Sequence, residues 1–330
     1  MKLISPTLKI AVFGSSGMAG SAICRALKRN GYSKILKPSR KELNLLDYVA
    51  VRNWFKIAKP DVVVIAAAKV GGIFANNKFP ADFILENLKI QNNIIEIAWR
   101  ENVKKLLFLG SSCIYPKFSK QPITEEELLT GELESTNQWY ALAKISGIKL
   151  CEALKKQYNF NALSLMPTNL YGPGDNYHKE NSHVLPSLVR RFYEAKISNQ
   201  KEVICWGSGS PFREFLHVDD LGDACVFALE KWDIDNINSP KDKNGSPLSF
   251  LNVGTGMDIS IKELANLIAG FSGYKGEIKW DKTKPDGTPK KQLDVSRIKT
   301  LGWNSKIPIK EGLQNTINLY KKANFDEIRK

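Results

Sequence analysis

Tyr140 and Lys144 stand four residues apart, so on a helix they share one face. An ammonium so placed lowers a phenol's pKa from about 10 and can also hold a cofactor ribose, which makes Tyr140 a proton donor to a ketone being reduced. A lysine-rich chain with 10 tyrosines shows such a pair by chance, and the pair gains meaning from Gly110-Ser111-Ser112 upstream, at the end of a strand-like run. Ligands bind at that carboxyl edge in parallel sheets. Two further side chains, Cys113 and His183, bear on a carbon next to such a ketone. Taken singly, an unpaired cysteine is a small buried hydrophobe and a single histidine a satisfied polar group. Taken with Ser111, Tyr140 and Lys144, a thiol and an imidazole on opposite sides of the carbon skeleton could remove a proton and return it to the other face, as an epimerase requires.

A cofactor must supply the hydride for that chemistry. Gly14-Ser15-Ser16-Gly17-Met18-Ala19-Gly20 follows the first strand and opens a helix. Gly14 permits the tight turn, Gly17 lets backbone amides approach a pyrophosphate, and Gly20 allows close helix-on-strand packing. An NAD site places a carboxylate about 20 residues further on; here the chain reads Lys37-Pro38-Ser39-Arg40-Lys41, with none before Glu42. Arg40 with Ser39 suits a 2′-phosphate, so NADP(H) is the expected cofactor.

The elements that must position these residues alternate. Strand-like runs at Leu8 to Phe13, Asp61 to Ala66, Lys105 to Leu109 and Ala162 to Leu165 are separated by helical patterns at Met18 to Lys28, Ala81 to Glu101 and Tyr140 to Tyr158. Alternation of this kind gives an α/β fold: a Rossmann-like, doubly wound parallel sheet. After Pro167 the elements shorten, which implies a smaller C-terminal α/β substrate-binding lobe. The expected division is an NADP-binding Rossmann domain over residues 1–166, with a return segment near 214–232, and a mainly substrate-binding lobe over 167–330. Asp233 to Pro247, rich in Asn, Asp, Pro, Ser and Gly, reads as a linker-like surface loop with no assigned role.

Composition narrows the class. The chain has 330 residues, 43% hydrophobic and 25% charged, close to globular averages, which excludes wholesale disorder and disulfide miniproteins. The longest strongly apolar stretch, Val62 to Ala68, falls far short of the roughly 20 residues a membrane helix needs, and no secretory leader pattern precedes the first strand. Five cysteines without Cys-x-x-Cys spacing and three histidines argue against a disulfide framework and against metal. Cytoplasmic residence follows, with no membrane partner. The net charge of +14 is spread over scattered pairs such as Lys104-Lys105 and Lys290-Lys291, without a basic, aromatic-interleaved block. That pattern favours solvated faces around an anionic ligand over nucleic acid.

Longer stretches carry a resemblance. Ala67 to Ile73, Leu109 to Pro116, Met166 to Pro173, Asn181 to Pro186, Arg213 to Asp220, Asn252 to Gly256 and Lys284 to Pro289 together resemble the GDP-L-fucose synthase family of extended short-chain dehydrogenases/reductases. The resemblance implies that GDP-4-keto-6-deoxy-D-mannose is epimerised at C3 and C5 and then reduced at C4 by NADPH. It implies Cys113 as base, His183 as acid, and Ser111 with Tyr140 as enolate stabilisers. Cofactor contacts fall on residues 14–20, Arg40, Leu109, Gly110, Ser111, Ser112, Lys144, Pro167, Thr168, Asn169, Leu170 and His183. Substrate contacts fall on Arg191, Trp206, Arg213, Asp286 and Lys291, the cations suiting the diphosphate. Some relatives carry arginine where Ser16 stands, which leaves Arg40 more of the NADP preference. A homodimer through the two long helices is also implied. Two other readings remain open: another NAD(P)-dependent nucleotide-sugar epimerase or dehydratase, and a catalytically silent NADP-binding sensor.

Overall fold

Four apolar runs are too short and too uniformly hydrophobic to be surface strands, and each is buried along its whole length: β1 (Ile10–Phe13), β3 (Val62–Ile65), β4 (Lys105–Leu109) and β5 (Ala162–Pro167). A strand buried on both faces needs helices on both faces. In the computed structural model, which describes residues 2–179, 181–284 and 286–322, these strands form the centre of a six-stranded parallel sheet. Its order is β2-β1-β3-β4-β5-β9, with β2 at Ile35–Leu36 and β9 at Phe250–Val253 as the edges. Sequence order reverses at β1, so a crevice opens beyond the carboxyl ends of β1 and β3, where the doubly wound fold places its ligands.

The helices follow from local signals. α1 (Met18–Arg29) starts at Gly17, α2 (Tyr48–Ala58) is capped by the Asp47 side chain on the Ala50 amide, and α3 (Ile73–Lys78) leads into α4 (Pro80–Arg100), with proline at its first position. α5 (Gln138–Tyr158) ends on Asn159 at φ 54°, a left-handed stop. α4 packs on α5; α1 packs on α7 (Val218–Lys231), so a segment from the second half of the chain covers one face of the first sheet. Trp232, just beyond α7, is fully buried in this core.

A second apolar core lies among the later elements. It gathers side chains from β6 (Asn169–Tyr171), α6 (Val184–Ile197), β7 (Glu202–Trp206), β8 (Phe212–His217), α8 (Ile261–Ser272) and α10 (Ile309–Lys322). β8 pairs with β6, with β10 (Asp258–Ser260) and with β12 (Lys290–Lys291), while β7 pairs with β11 (Glu277–Asp281). A capping box of Ser260 and Glu263 starts α8, and Gly273 at φ 78° ends it. Between β12 and α10 lies α9 (Ser296–Thr300).

Three features differ from the sequence reading. β2 and β12 are two-residue strands, too short for a periodic signal, and each exists because a neighbouring strand supplies its hydrogen bonds. Residues returning to the first core include Phe250–Val253 and Leu293–Trp303 as well as the expected 214–232. The segment Asp233 to Pro247 is no free linker: Ile234 and Ser239 are buried, the Trp232 indole donates to Ser239 Oγ at 3.3 Å, and Lys241 bridges Pro247. Pro285 lies outside the described residues, as do 323–330 at the end of the expected substrate lobe.

Candidate active site

Strand β4 runs out at Leu109, and the chain turns through Gly110 into a short 3-10 turn at Ser112–Ile114. A Cβ on Gly110 would lie 2.3 Å from Met166 Sδ, so a larger residue there would have to displace that methionine. Ser111 begins the turn and accepts the Cys113 amide on its Oγ at 3.2 Å. α5 passes alongside and brings Tyr140 and Lys144 to the same place. Lys144 is buried and donates to the Leu109 carbonyl at 2.8 Å, its ammonium lying 5.8 Å from the Tyr140 ring centre. Burial lowers Lys144 to a pKa of about 7. Burial also raises Tyr140, with a push from Cys113, against a hydrogen bond from Ser111. The lowering expected from Lys144 is therefore not found: burial outweighs it, and Tyr140 holds its proton at neutral pH, as a donor must.

Cys113 is partly exposed, whereas the other four cysteines are buried. Its sulfur lies 3.6 Å from Asn137 Nδ2 and 3.6 Å from Lys291 Nζ. Sequence reasoning put Lys291 on the diphosphate; the structure turns its ammonium to the thiol instead, a contact between residues 178 apart that no spacing could reveal. Asn137 was missed altogether. It sits one helical turn before Tyr140, and its buried Oδ1 has no hydrogen-bond partner among the described residues; the three-residue offset from Tyr140 was the available signal.

His183 comes from a different element. It starts α6, and its segment is tied to the turn after β3, where the Gly72 amide donates to Asn181 O at 3.2 Å. The residue is exposed at its surface, yet the protein packed around it pushes the imidazole's pKa down, so at neutral pH the ring is mainly neutral and must take up a proton before it can return one. Among the described residues no hydrogen bond or ion pair joins His183 to Ser111, Cys113, Tyr140 or Lys144.

The glycine turn has the shape a dinucleotide needs. Gly14 lies at φ 84°, with a hypothetical Cβ 2.6 Å from the Ala67 amide nitrogen, and a Cβ on Gly20 would fall 2.1 Å from Gly14 O. α1 carries no side-chain cap and no acid in its first turn, so its leading amides stay available to an anion. Arg40 is exposed, and Glu42, the nearest carboxylate, turns back to accept the Ser39 amide at 2.8 Å. A free ribose hydroxyl thus has no carboxylate from this segment, and the residues present fit a 2′-phosphate. Pro167 ends β5; Thr168 and Asn169 follow, both donating to Glu214 O, at 3.2 and 2.8 Å, with Leu170 beyond them in β6.

The remaining candidates lie on the second layer. Trp206 is 69% exposed at the end of β7, with Lys284 over its ring, so it is no core residue. Arg191 donates to Ile204 O. Arg213 donates to Phe212 O at 2.7 Å; burial lowers its pKa, and Asp286 and Glu134 act against that. Asp286 accepts from the Ser208 amide and hydroxyl at 2.7 and 2.8 Å, bracing the turn after Trp206. It therefore does at least the structural work expected of a turn residue.

This arrangement agrees with what the chain resembles. Residues 10–239 match the model of the NAD dependent epimerase/dehydratase family. GDP-L-fucose synthase 1 of Arabidopsis thaliana is 52% identical over 314 residues, covering 95% of this chain and 93% of that protein. The GDP-L-fucose synthase of Escherichia coli K12 is 51% identical over 322 residues, 97% of this chain and 98% of that one. Among solved structures, a GDP-mannoheptose C4 reductase from Campylobacter jejuni with NADP bound superposes with a TM-score of 0.85 at 36% identity, over 97% of this chain and 100% of that chain. With its parallel sheet, glycine turn and serine-tyrosine-lysine cluster, the chain belongs to the NAD dependent epimerase/dehydratase family, on the branch of the GDP-L-fucose synthases.

Proposed function

We propose that the protein is an NADPH-dependent oxidoreductase with epimerase activity that converts GDP-4-keto-6-deoxy-D-mannose to GDP-L-fucose, inverting C3 and C5 before reducing C4. One observation carries the reading: a partly exposed thiol, held by a lysine and an asparagine, stands two residues from the serine that meets the half-buried tyrosine. A reductase alone has no use for that thiol.

The C4 ketone acidifies the hydrogens at C3 and C5. The Cys113 thiolate takes such a proton, and the electron pair moves onto O4, where the Ser111 and Tyr140 hydroxyls donate to it. His183 returns a proton to the opposite face of the carbon, and the carbonyl re-forms. Each inversion is thus a proton exchange with no net redox change. NADPH, when bound, supplies the hydride that reduces C4. Tyr140 protonates the resulting O4, and Lys144 holds its ammonium beside the ring. One hydride and one proton enter the sugar in each turnover.

Arg40 and Ser39 recognise the cofactor's 2′-phosphate, and the α1 amides its pyrophosphate. The solved C4 reductase with NADP bound supports this cofactor. Arg191, Arg213, Trp206 and Asp286 line the layer that takes the GDP end, in keeping with the division into a cofactor domain and a substrate lobe. A homodimer through α4 and α5 is supported by Leu85, Trp139 and Leu142, large apolar side chains left exposed on those helices. Cytoplasmic residence is supported by five unpaired cysteines; no helix among the described residues is long and apolar enough to cross a membrane.

The test is NADPH consumption with GDP-4-keto-6-deoxy-D-mannose, with the product sugar's stereochemistry read by NMR. Stoichiometric oxidation yielding GDP-L-fucose is expected. Reduction without inversion would remove the epimerase roles of Cys113 and His183, and no oxidation would overturn the reading.

A further inference from the structure

A fully buried carboxylate that the proposed reaction does not use lies under the active site. Glu214, in β8, follows Arg213 directly. Its Oε1 accepts the Thr255 amide at 2.6 Å and the Gly256 amide at 2.9 Å, with the Thr255 hydroxyl at 3.4 Å. Its Oε2 accepts the Leu293 amide at 2.8 Å. The space was made for it: a Cβ on Gly254 would fall 2.0 Å from Oε1. Burial raises the carboxyl's pKa, and these same donors pull it back.

The carboxylate is the buried tie on the segment that delivers Lys291, which is also held by Gln121 Oε1, accepting the Gln292 amide at 2.9 Å, and by Ile123, which bridges Leu293. β12 is only two residues long and pairs with β8 in one register, Lys291 opposite Arg213. Two residues later the Leu293 amide is fixed by Glu214, and between them Gln292 Nε2 donates at 2.7 Å to the carbonyl of Gly256, itself tied to Glu214 through its amide. A two-residue strand has little rigidity of its own. The Lys291 ammonium nevertheless reaches Cys113 Sγ at 3.6 Å, within hydrogen-bond reach of the sulfur, and a neighbouring lysine is one of the groups that activate cysteines in proteins.

We propose that Glu214 is a positioning residue that, by clamping Thr255, Gly256 and Leu293 in one carboxylate, sets Lys291 against the Cys113 sulfur and so maintains the reactive thiolate. The inference rests on Cys113 being the epimerisation base, but its geometry can be tested without the sugar. Glu214→Gln keeps the side chain's shape and turns an amide nitrogen toward backbone donors. Gln292→Met loosens the same tie more gently and serves if Glu214→Gln does not fold.

The experiment is the pH profile of Cys113 alkylation by iodoacetamide in the full chain, read site by site by mass spectrometry; the other four cysteines are buried and serve as the folding control. Expected is a several-fold slower reaction at neutral pH in Glu214→Gln, with the profile moved to higher pH. Lys291→Met should move it the same way, and the double variant no further. Glu214→Asp should restore part of the rate and Gln292→Met should lose part. A folded Glu214→Gln or Gln292→Met variant with the wild-type profile would overturn the inference. A moved profile in a protein that fails to epimerise the sugar would instead count against the function proposed for Cys113 and leave the Glu214 clamp standing.

Discussion

The two sides of the site are held in different ways. On the sheet side, Lys144 is 3% exposed, reaches a main-chain carbonyl from a 21-residue helix, and stands beside Ser111 at the end of a fully buried strand. On the other side, Trp206 lies open, Arg191 and Arg213 donate to main-chain carbonyls, and Asp286 braces a turn, all from short strands and loops or, for Arg191, from a helix facing an edge strand. Proton and hydride transfer tolerate little misplacement, and long buried elements supply that fixity. Binding a flexible diphosphate sugar asks for reach, and side chains on short elements can exchange internal partners for a ligand's oxygens.

If that contrast is right, substitutions on the two sides should damage different steps. The largest effects belong to the sheet side. Tyr140→Phe should lower NADPH oxidation about 10²- to 10⁴-fold, the usual range for a general acid, with cofactor binding retained in titrations of NADPH fluorescence. Cys113→Ser should lower deuterium exchange at C3 and C5 over the same range and leave reduction of an already inverted ketone intact. Full exchange in Cys113→Ser would break the assignment.

Next in size is the binding side. Arg213→Met removes charge-assisted hydrogen bonds of about 1.5–3 kcal/mol, so KM for the nucleotide sugar should rise about 10- to 150-fold with kcat little changed, in steady-state kinetics. A fall in kcat at constant KM would place Arg213 with the chemistry and erase the contrast. A smaller effect is expected at the exposed Arg40: Arg40→Leu should weaken NADPH about tenfold, roughly 1.4 kcal/mol, and leave NADH unaffected in parallel assays.

A last effect, read in stability and leaving the chemistry untouched, sharpens how the sheet side is held. Lys105 in β4 is buried and donates to the carbonyls of Ala228, Leu229 and Trp232 at the end of α7. Burial lowers its pKa to about 8, against about 10.4 for an unfolded lysine. Between those values the unfolded chain binds more protons, so this residue makes folding stability rise as pH increases from about 8 to 10. Urea midpoints of Lys105→Met measured across that window should rise less with pH than those of the wild type.

The same contrast explains what could be read from the chain. Runs such as Val62 to Ile65, and the Tyr140 to Lys144 spacing, are local patterns, and local patterns survive in a sequence. The glycine turn was legible because two of its glycines answer a nearby steric demand, Gly20 against Gly14 and Gly14 against Ala67. The second layer was far less legible. β12 exists only through pairing with β8, and Lys291 reaches Cys113 from a segment that Glu214, Gly256, Gln121 and Ile123 hold at Gln292 and Leu293. The burial of Ser239 within the 233–247 segment goes with its hydrogen bond from the Trp232 indole. None of these contacts leaves a periodic trace, since each depends on residues brought together by the rest of the fold.

The central claim is that one ketone site carries two chemistries, proton exchange through Cys113 and His183 and reduction through Tyr140. The most direct measurement runs the wild-type protein in D2O with GDP-4-keto-6-deoxy-D-mannose and unlabelled NADPH, and locates deuterium in the product by NMR. The account predicts GDP-L-fucose with deuterium at C3 and C5 and protium at C4. Product reduced at C4 with protium retained at both C3 and C5 would contradict it.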